Sequence, residues 1–348
     1  MTRTRVSATK KLSEQMKDRY ANIRPELDSD LGPMISTGST LLDLAISGTR
    51  IRGGGISGGI LMEMSGQPST GKTVMLCEIA GAVKRQGGEH LFYDPEGRLN
   101  KQFAKMFGLD IQDEDYSMPD TIPQLFEPIR KWEPEPQDSV HGIFADSLAA
   151  LSTKMEMEGE DKYGMRRAKE FSEQMRKTCR VIKNKGFLMV CSNQVRENTA
   201  AGPYGEKDIT PGGRAIPFYS SLRLRFRGSG TKLKEEQKIH GKTHKRVIGV
   251  EVTAYISKNS LDKPFREAPI TILYDYGIDD IRQNLQFIKS IKGDKIYSVG
   301  GTSLGISMDG AIKAIEDDNL EDTVRNETID LWEEVERKFV KDRKPKVR

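Results

Sequence analysis

The sequence predicts an α/β fold: a mostly parallel central sheet built around a phosphate-binding loop, with an N-terminal helical arm and a small C-terminal domain. Three observations carry this expectation. From about residue 34 to 280, short apolar runs alternate with amphipathic stretches, the pattern of strands joined by crossover helices. The apolar runs lack strict polar alternation, as expected of strands covered on both faces. One of them leads into Gly66-Gln67-Pro68-Ser69-Thr70-Gly71-Lys72-Thr73, a GxxxxGK[ST] loop followed by the helical pattern VMLCEIAGAV.

Along the chain, residues 1–33 hold the charged segment KKLSEQMKDRYANIRPELDSD, which reads as one short helix and a linker ending at Gly32-Pro33. The core, 34–280, has its clearest strands at 60–65, 90–94, 142–146, 187–193 and 222–226, with helices at 73–86, 98–107 and 166–185. Residues 281–336 read as a small C-terminal domain of helical pieces around GDKIYSVGGTSLG. Its last helix lies near 321–341, with Trp332, Val335, Phe339 and Val340 expected on the core side. Residues 337–348, RKFVKDRKPKVR, form a basic tail.

Length and composition set the outer limits. A chain of 348 residues accommodates one large domain with appendages. The net charge of +4, from 55 basic and 51 acidic residues, does not by itself announce a nucleic-acid binder, so any such face must arise from local clustering. Cys77, Cys179 and Cys191 show no CxxC spacing, which argues against a disulfide framework or structural zinc and fits a reducing compartment. No apolar run approaches the roughly 18 residues of a membrane span. The expected location is cytoplasmic, with no membrane partner.

The phosphate loop calls for ATP and Mg2+. Its glycines let backbone N–H groups wrap phosphates, Lys72 reaches the terminal phosphates and the Thr73 hydroxyl ligates magnesium. Two carboxylates fall at the ends of apolar strands, the edge where open α/β sheets bind ligands. Asp146 is either the second magnesium-site group or the N-cap of the next element. Glu96 either polarises the attacking water or is a solvated loop carboxylate. Gln194, at the end of its strand, is a reporter of the γ-phosphate or a turn residue.

Directly after Gln194, the segment ENTAAGPYGEKDITPGGRAI (197–216) reads as a long loop starting at the nucleotide edge. A second loop, 155–165, precedes a cationic helix carrying Arg167, Lys169, Arg176, Lys177, Arg180, Lys183 and Lys185. This is either a solvated face or a nucleic-acid surface, and the flanking loops favour the second.

The ordered set ISTGSTLLDLAI, GQPSTGKT, YDPEG, ADSLAAL, SEQMRK, SNQVR, PGGRAIPFYSS and PFREAPITILYDYGI resembles the RecA family of strand-exchange recombinases, in its bacterial form and more loosely in the phage UvsX form. The resemblance covers about residues 34–280 and implies a RecA-like P-loop ATPase core. It implies Lys72 and Thr73 as phosphate and magnesium ligands, Glu96 as catalytic carboxylate, Asp146 at the magnesium site and Gln194 as the switch. It also implies that loops near 156–165 and 197–216 line DNA, with Ser172, Arg176, Arg196, Gly212 and Gly213 at contact positions and Arg214 where bacterial relatives have Asn. Lys258 matches a lysine that reaches the neighbouring subunit's γ-phosphate, while Ser260 replaces a second lysine. Asn100 and Phe103 replace the acidic and tyrosine residues near the adenine.

The implied activity is DNA-dependent ATP hydrolysis by a helical homo-filament on single-stranded DNA, which pairs with homologous duplex DNA. The implied further partners are single-strand-binding and mediator proteins. The arm, 1–33, would dock on the next subunit. The competing expectations are a hexameric helicase-type motor and an accessory ATP-binding mediator without strand exchange.

Overall fold

The computed structural model describes residues 31–136, 138–157, 165–197, 208–209, 213–341 and 343. The helix expected in the arm therefore lies outside the described residues, as does the end of the basic tail.

The described chain opens on β1 (Met34–Ile35), paired antiparallel with β2 (Ile56–Ser57) around the buried helix Thr40–Ser47. β3 (Ile60–Gly66) runs into the phosphate loop and the helix Lys72–Arg85. β4 (His90–Tyr93), the helix Lys101–Met106, β5 (Tyr116–Ser117), the helix Ile122–Lys131 and β6 (Gly142–Ala145) follow. The long helix Met165–Lys185 then leads into β7 (Leu188–Gln194). Beyond it, β8 (Arg196–Glu197) pairs with β9 (Asp208–Ile209). The helix Ala215–Tyr219 precedes a long hairpin of β10 (Leu222–Ile239) and β11 (Lys242–Asn259), then β12 (Glu267–Leu273) and β13 (Gly277–Ile278).

These form one nine-stranded sheet in the order β13-β12-β11-β10-β3-β7-β6-β4-β5. From β10 to β5 every neighbour is parallel, and from β10 to β13 every neighbour is antiparallel. Five of the eight pairings are parallel, as the apolar runs require. β3 and β6 are buried along their whole length, and alternate residues feed two different cores. Met62, Met64, Phe92, Phe144 and Val190 pack on one face against Leu76 and Ile79 of the phosphate-loop helix. Leu61, Ile143, Ala145, Met189 and Cys191 pack on the other against Phe126 and Phe171. Helices cover both faces because each parallel strand must return through a crossover.

The element boundaries differ from expectation in informative places. The helix expected at 98–107 is Lys101–Met106, because the Asn100 carboxamide accepts from the amides of Gln102 and Phe103 and caps it there. The five-residue strand expected at 222–226 is the base of an 18-residue strand. The last helix ends at Lys338, and Phe339 and Val340 are 73% and 65% exposed, so these two side chains are not core.

The C-terminal segment builds a third cluster from Leu285, Ile288, Val299, Ala311, Ile315 and Val324. Its elements are the helix Asp280–Lys292, the hairpin β14 (Tyr297–Val299) with β15 (Thr302–Gly305), and the helices Met308–Asp318 and Glu321–Lys338. Arg266 joins the last helix to the core. Its guanidinium pairs with Asp262 at 3.0 Å and Glu336 at 2.6 Å and lies over the Trp332 ring. Among the described residues, no helix is long and apolar enough to cross a membrane.

Candidate functional site

The phosphate loop owes its shape to backbone that tolerates few side chains. Gly71 sits at φ 86°, a conformation that demands glycine, and a Cβ there would also have to displace the Ile272 Cδ1 methyl, 2.1 Å away. The helix that follows has no side-chain cap, and its first amides are thus suited to an anion. Lys72 Nζ donates to the Gly66 and Gln67 carbonyls at 3.0 and 2.8 Å, and the Thr70 hydroxyl donates to the Gln67 carbonyl at 2.8 Å. Burial pushes the Lys72 ammonium below the usual lysine range, opposed by the Asp146 and Glu96 carboxylates. A polyphosphate would oppose that burial further.

Side chains from four strand ends converge beside the loop. Thr73 Oγ1 donates to Asp146 Oδ2 at 2.6 Å, and the Ser192 hydroxyl donates to the other Asp146 oxygen. The Glu96 Oε1 atom accepts from Ser147 Oγ at 2.8 Å and Gln194 Nε2 at 3.3 Å, while Arg98 pairs with Oε2 at 2.8 Å. Asp94 anchors the intervening turn by accepting from the Leu99 amide and the Tyr116 hydroxyl at 2.7 and 2.8 Å. Lys72, Thr73, Glu96, Asp146 and Gln194 thus form one constellation. The pair of one hydroxyl and one carboxylate fits magnesium, which keeps most of its water and takes one or two protein carboxylates plus phosphate oxygens. When bound with ATP, the ion would neutralise charge on the terminal phosphates.

Sequence reasoning missed three supports of this site. Ser192 orients Asp146, Arg98 pairs with Glu96, and a buried set beneath the loop strand joins Glu63 to Asn193 at 3.0 Å and Arg223 at 2.6 Å. The last set spans β3, β7 and β10 and is visible only once those strands are known to be neighbours.

Other expected residues stand apart or act differently. Phe103 is half-buried and packs edge-on to Phe107 at 4.7 Å, while Asn100 is occupied as a helix cap. Lys258 Nζ donates to the carbonyls of Pro217 and Phe218 at 3.1 and 3.0 Å, closing the helix Ala215–Tyr219, and burial lowers its pKa.

On the cationic helix, Lys169, Ser172 and Arg176 are exposed at spacings of three and four, one stripe opposite the buried Phe171, Met175 and Thr178. Not all its charge is on that stripe. Arg167 donates to the Leu148 and Ala149 carbonyls at 3.2 and 2.5 Å, Lys177 pairs with Glu173, and Lys185 pairs with Glu133. Arg167 is therefore a scaffold for the turn after Asp146 rather than part of the exposed stripe. Gly213, at φ 70°, lies against this helix, where a Cβ would come within 2.9 Å of the Ala168 methyl. Arg214 beside it is exposed. Gly212 and the side chain of Arg196 fall outside the described residues, as do 158–164 and most of 197–212.

The three thiols are not poised for chemistry: burial raises the pKa of Cys77, Cys179 and Cys191.

Comparison with known proteins agrees with this geometry. Residues 25–279 match the family model of the RecA N-terminal domain. Protein RecA of Thermus thermophilus is 33% identical over 309 residues, covering 87% of this chain and 86% of the relative. Protein RecA of Thermus aquaticus is 36% identical over 259 residues, covering 74% and 71%.

Proposed function

This chain belongs to the RecA family, and we propose that it is an ATP-dependent homologous recombinase that forms helical filaments on single-stranded DNA. In that role it pairs the coated strand with homologous duplex DNA and exchanges strands, in recombination and repair in the cytoplasm. The observation that carries the reading is the joint placement of Thr73 against Asp146 and of Glu96 against Ser147 and Gln194, beside the phosphate loop.

Each group has a definable task. Lys72 and the loop amides bind the terminal phosphates, and Thr73 and Asp146 hold the metal. Glu96 polarises the attacking water and accepts its proton, and releasing one of the three donors it holds at rest would raise its basicity for that task. Gln194 is the natural one to release. It ends β7, and the chain runs from it into β8 and the 197–216 loop, so a change at the phosphate is transmitted to the DNA side. Lys169, Ser172, Arg176, Arg196, Gly212, Gly213 and Arg214 contact the DNA. A head-to-tail interface that does not close generates an open helix, with the arm, 1–33, and Lys258 meeting the neighbouring subunit. Single-strand-binding and mediator proteins would load such a filament.

The test is ATP hydrolysis with and without single-stranded DNA, with negative-stain imaging of the same mixtures. Stimulated hydrolysis with helical filaments is the expected result. Closed rings would move the assignment to a hexameric motor, and neither stimulation nor assembly would move it to an accessory protein.

A further inference from the structure

Arg98 closely follows Glu96 and lies in a turn whose closure does not use its side chain. Gly97, at φ 61°, donates its amide to the Asp94 carbonyl at 3.0 Å, and the Leu99 amide donates to the Asp94 carboxylate at 2.7 Å. The same carboxylate is buried and accepts from the Tyr116 hydroxyl at 2.8 Å. The backbone on both sides of Arg98 is therefore pinned, and the turn makes no demand on the side chain at 98. That side chain is 79% exposed. Among the described residues its one ion-pair partner is Glu96, through Nη1 and Oε2 at 2.8 Å. Most of the guanidinium fork is thus uncommitted.

An exposed ion pair between near neighbours in the chain usually adds little stability. This one differs in its carboxylate. Glu96 is only 17% exposed, and its other oxygen is already held by Ser147 and Gln194, so Arg98 is not needed to orient it. What Arg98 changes is the charge of the site. Without it, the constellation beside the phosphate loop sets Asp146 and Glu96 against the single cation Lys72. The terminal phosphates of ATP add negative charge there, and hydrolysis requires that charge to be stabilised on the γ-phosphate oxygens. A guanidinium suits that task, because it stays charged and its planar fork matches two phosphate oxygens at once.

We infer that Arg98 is a catalytic residue of the ATPase, a cation from the same chain that keeps one N–H on Glu96 and turns the rest of its fork to the γ-phosphate. The inference rests on the reading of Gly66 to Thr73 and Glu96 as a site of ATP hydrolysis. In that reaction a water oxygen bonds to the γ-phosphorus, the bond to the bridging oxygen breaks, and ADP leaves with the electron pair. Glu96 takes the proton of the water, and Arg98 transfers nothing. The water must touch both Glu96 and the γ-phosphorus as it attacks, so a cation already on Glu96 has the phosphate oxygens within reach. Arg98 therefore stabilises the phosphate charge and aligns the carboxylate with the phosphate it serves. ADP lacks the group that Arg98 contacts, so the contribution is visible in binding as well as in turnover.

The experiment titrates the full chain, without DNA, with mant-ADP in magnesium buffer and then competes the probe off with ADP or with the slowly hydrolysed analogue ATPγS. It compares the unaltered protein with Arg98→Ala and Arg98→Lys. In the Ala variant the preference for ATPγS over ADP should shrink about ten- to a hundredfold, while ADP affinity stays within about twofold. Arg98→Lys keeps the charge but not the fork and should restore part of the preference. Turnover of ATP on oligo(dT) should fall roughly 10²- to 10³-fold in the Ala variant. A preference within about twofold of that of the unaltered chain would overturn the proposal, as would an equal loss for both nucleotides, the result expected if Arg98 only shapes the loop. Faster turnover in Arg98→Ala with the preference unchanged would overturn it in favour of a restraint on Glu96. Because the preference is read without DNA, an ATPase insensitive to DNA would sink the recombinase reading and leave the assignment of Arg98 standing. An unaltered chain that binds neither nucleotide would overturn both.

Discussion

The two halves of the central sheet use the same backbone chemistry to opposite ends. In the parallel half, β3, β7, β6 and β4 must each return through a helix, so the strands are short, sealed on both faces and finish on one edge. Thr73, Gln194, Asp146 and Glu96 follow or close those strands and therefore meet. In the antiparallel half, β10 and β11 are joined by His240 and Gly241, at φ 50° and 75°, the left-handed pair that a tight hairpin turn requires. No crossover limits their length, and they run on into solvent as a two-stranded ribbon. Parallel connection produces convergence, whereas hairpin connection produces reach.

The contrast is sharpest in the cores. Phe144 of β6 is fully buried and stacks on Phe92 with centroids 6.3 Å apart. Phe144→Ala should lower unfolding stability by about 3–5 kcal/mol in urea titration. A loss under about 1 kcal/mol would mean that the sealed half relaxes as readily as the ribbon. At the converging edge, Glu96→Gln should retain ATP binding while single-strand-stimulated hydrolysis falls roughly 10²- to 10³-fold. Normal turnover in that variant would remove Glu96 from its role.

Burial of one carboxylate beside the antiparallel half also predicts a pH dependence. Asp43 lies within the buried helix Thr40–Ser47, and burial pushes its pKa up to about 6 from 3.8, against hydrogen bonds from Ser36 and Thr37 that lower it. Because the folded pKa is the higher, its contribution to stability is fully present below pH 3.8 and is lost as pH rises through about 6. The slope between these limits approaches about 1.4 kcal/mol per pH unit, and Asp43→Asn should flatten it in denaturation curves. The smallest effect belongs to the ribbon. Ile239 is 50% exposed, and Ile239→Ser should change stability by no more than about 0.5 kcal/mol. A larger loss would show that the ribbon tip packs on another surface.

The phosphate loop was legible because its requirements are local: glycine where φ is positive, a lysine and a hydroxyl at fixed spacing, and a strand before a helix. Asp146, Glu96 and Gln194 were legible by position, since each sits at the end of an apolar run. Ser192 and the Glu63–Asn193–Arg223 set were not, because their meaning depends on partners supplied by other strands, and Arg98 was not, because its pairing with Glu96 depends on how the turn after β4 folds. The ribbon escaped for a different reason. LRLRF, unlike the other apolar runs, carries the alternation of a half-covered strand, but KLKEEQKIHGKTHKR has no apolar period by which a strand is recognised. Arg167 looked like its cationic neighbours until the turn after Asp146 was seen to lie against it.

By itself, then, the sequence determined the fold class, the phosphate loop and the strand-end residues available for chemistry, because each follows from short-range backbone demands and from apolar period. The tertiary structure alone decided which strand ends are neighbours, which cations are consumed as scaffold and how far the hairpin extends past its sheet. Those outcomes depend on strand order and register between segments far apart in the chain, which are settled by packing two faces at once rather than by any local pattern.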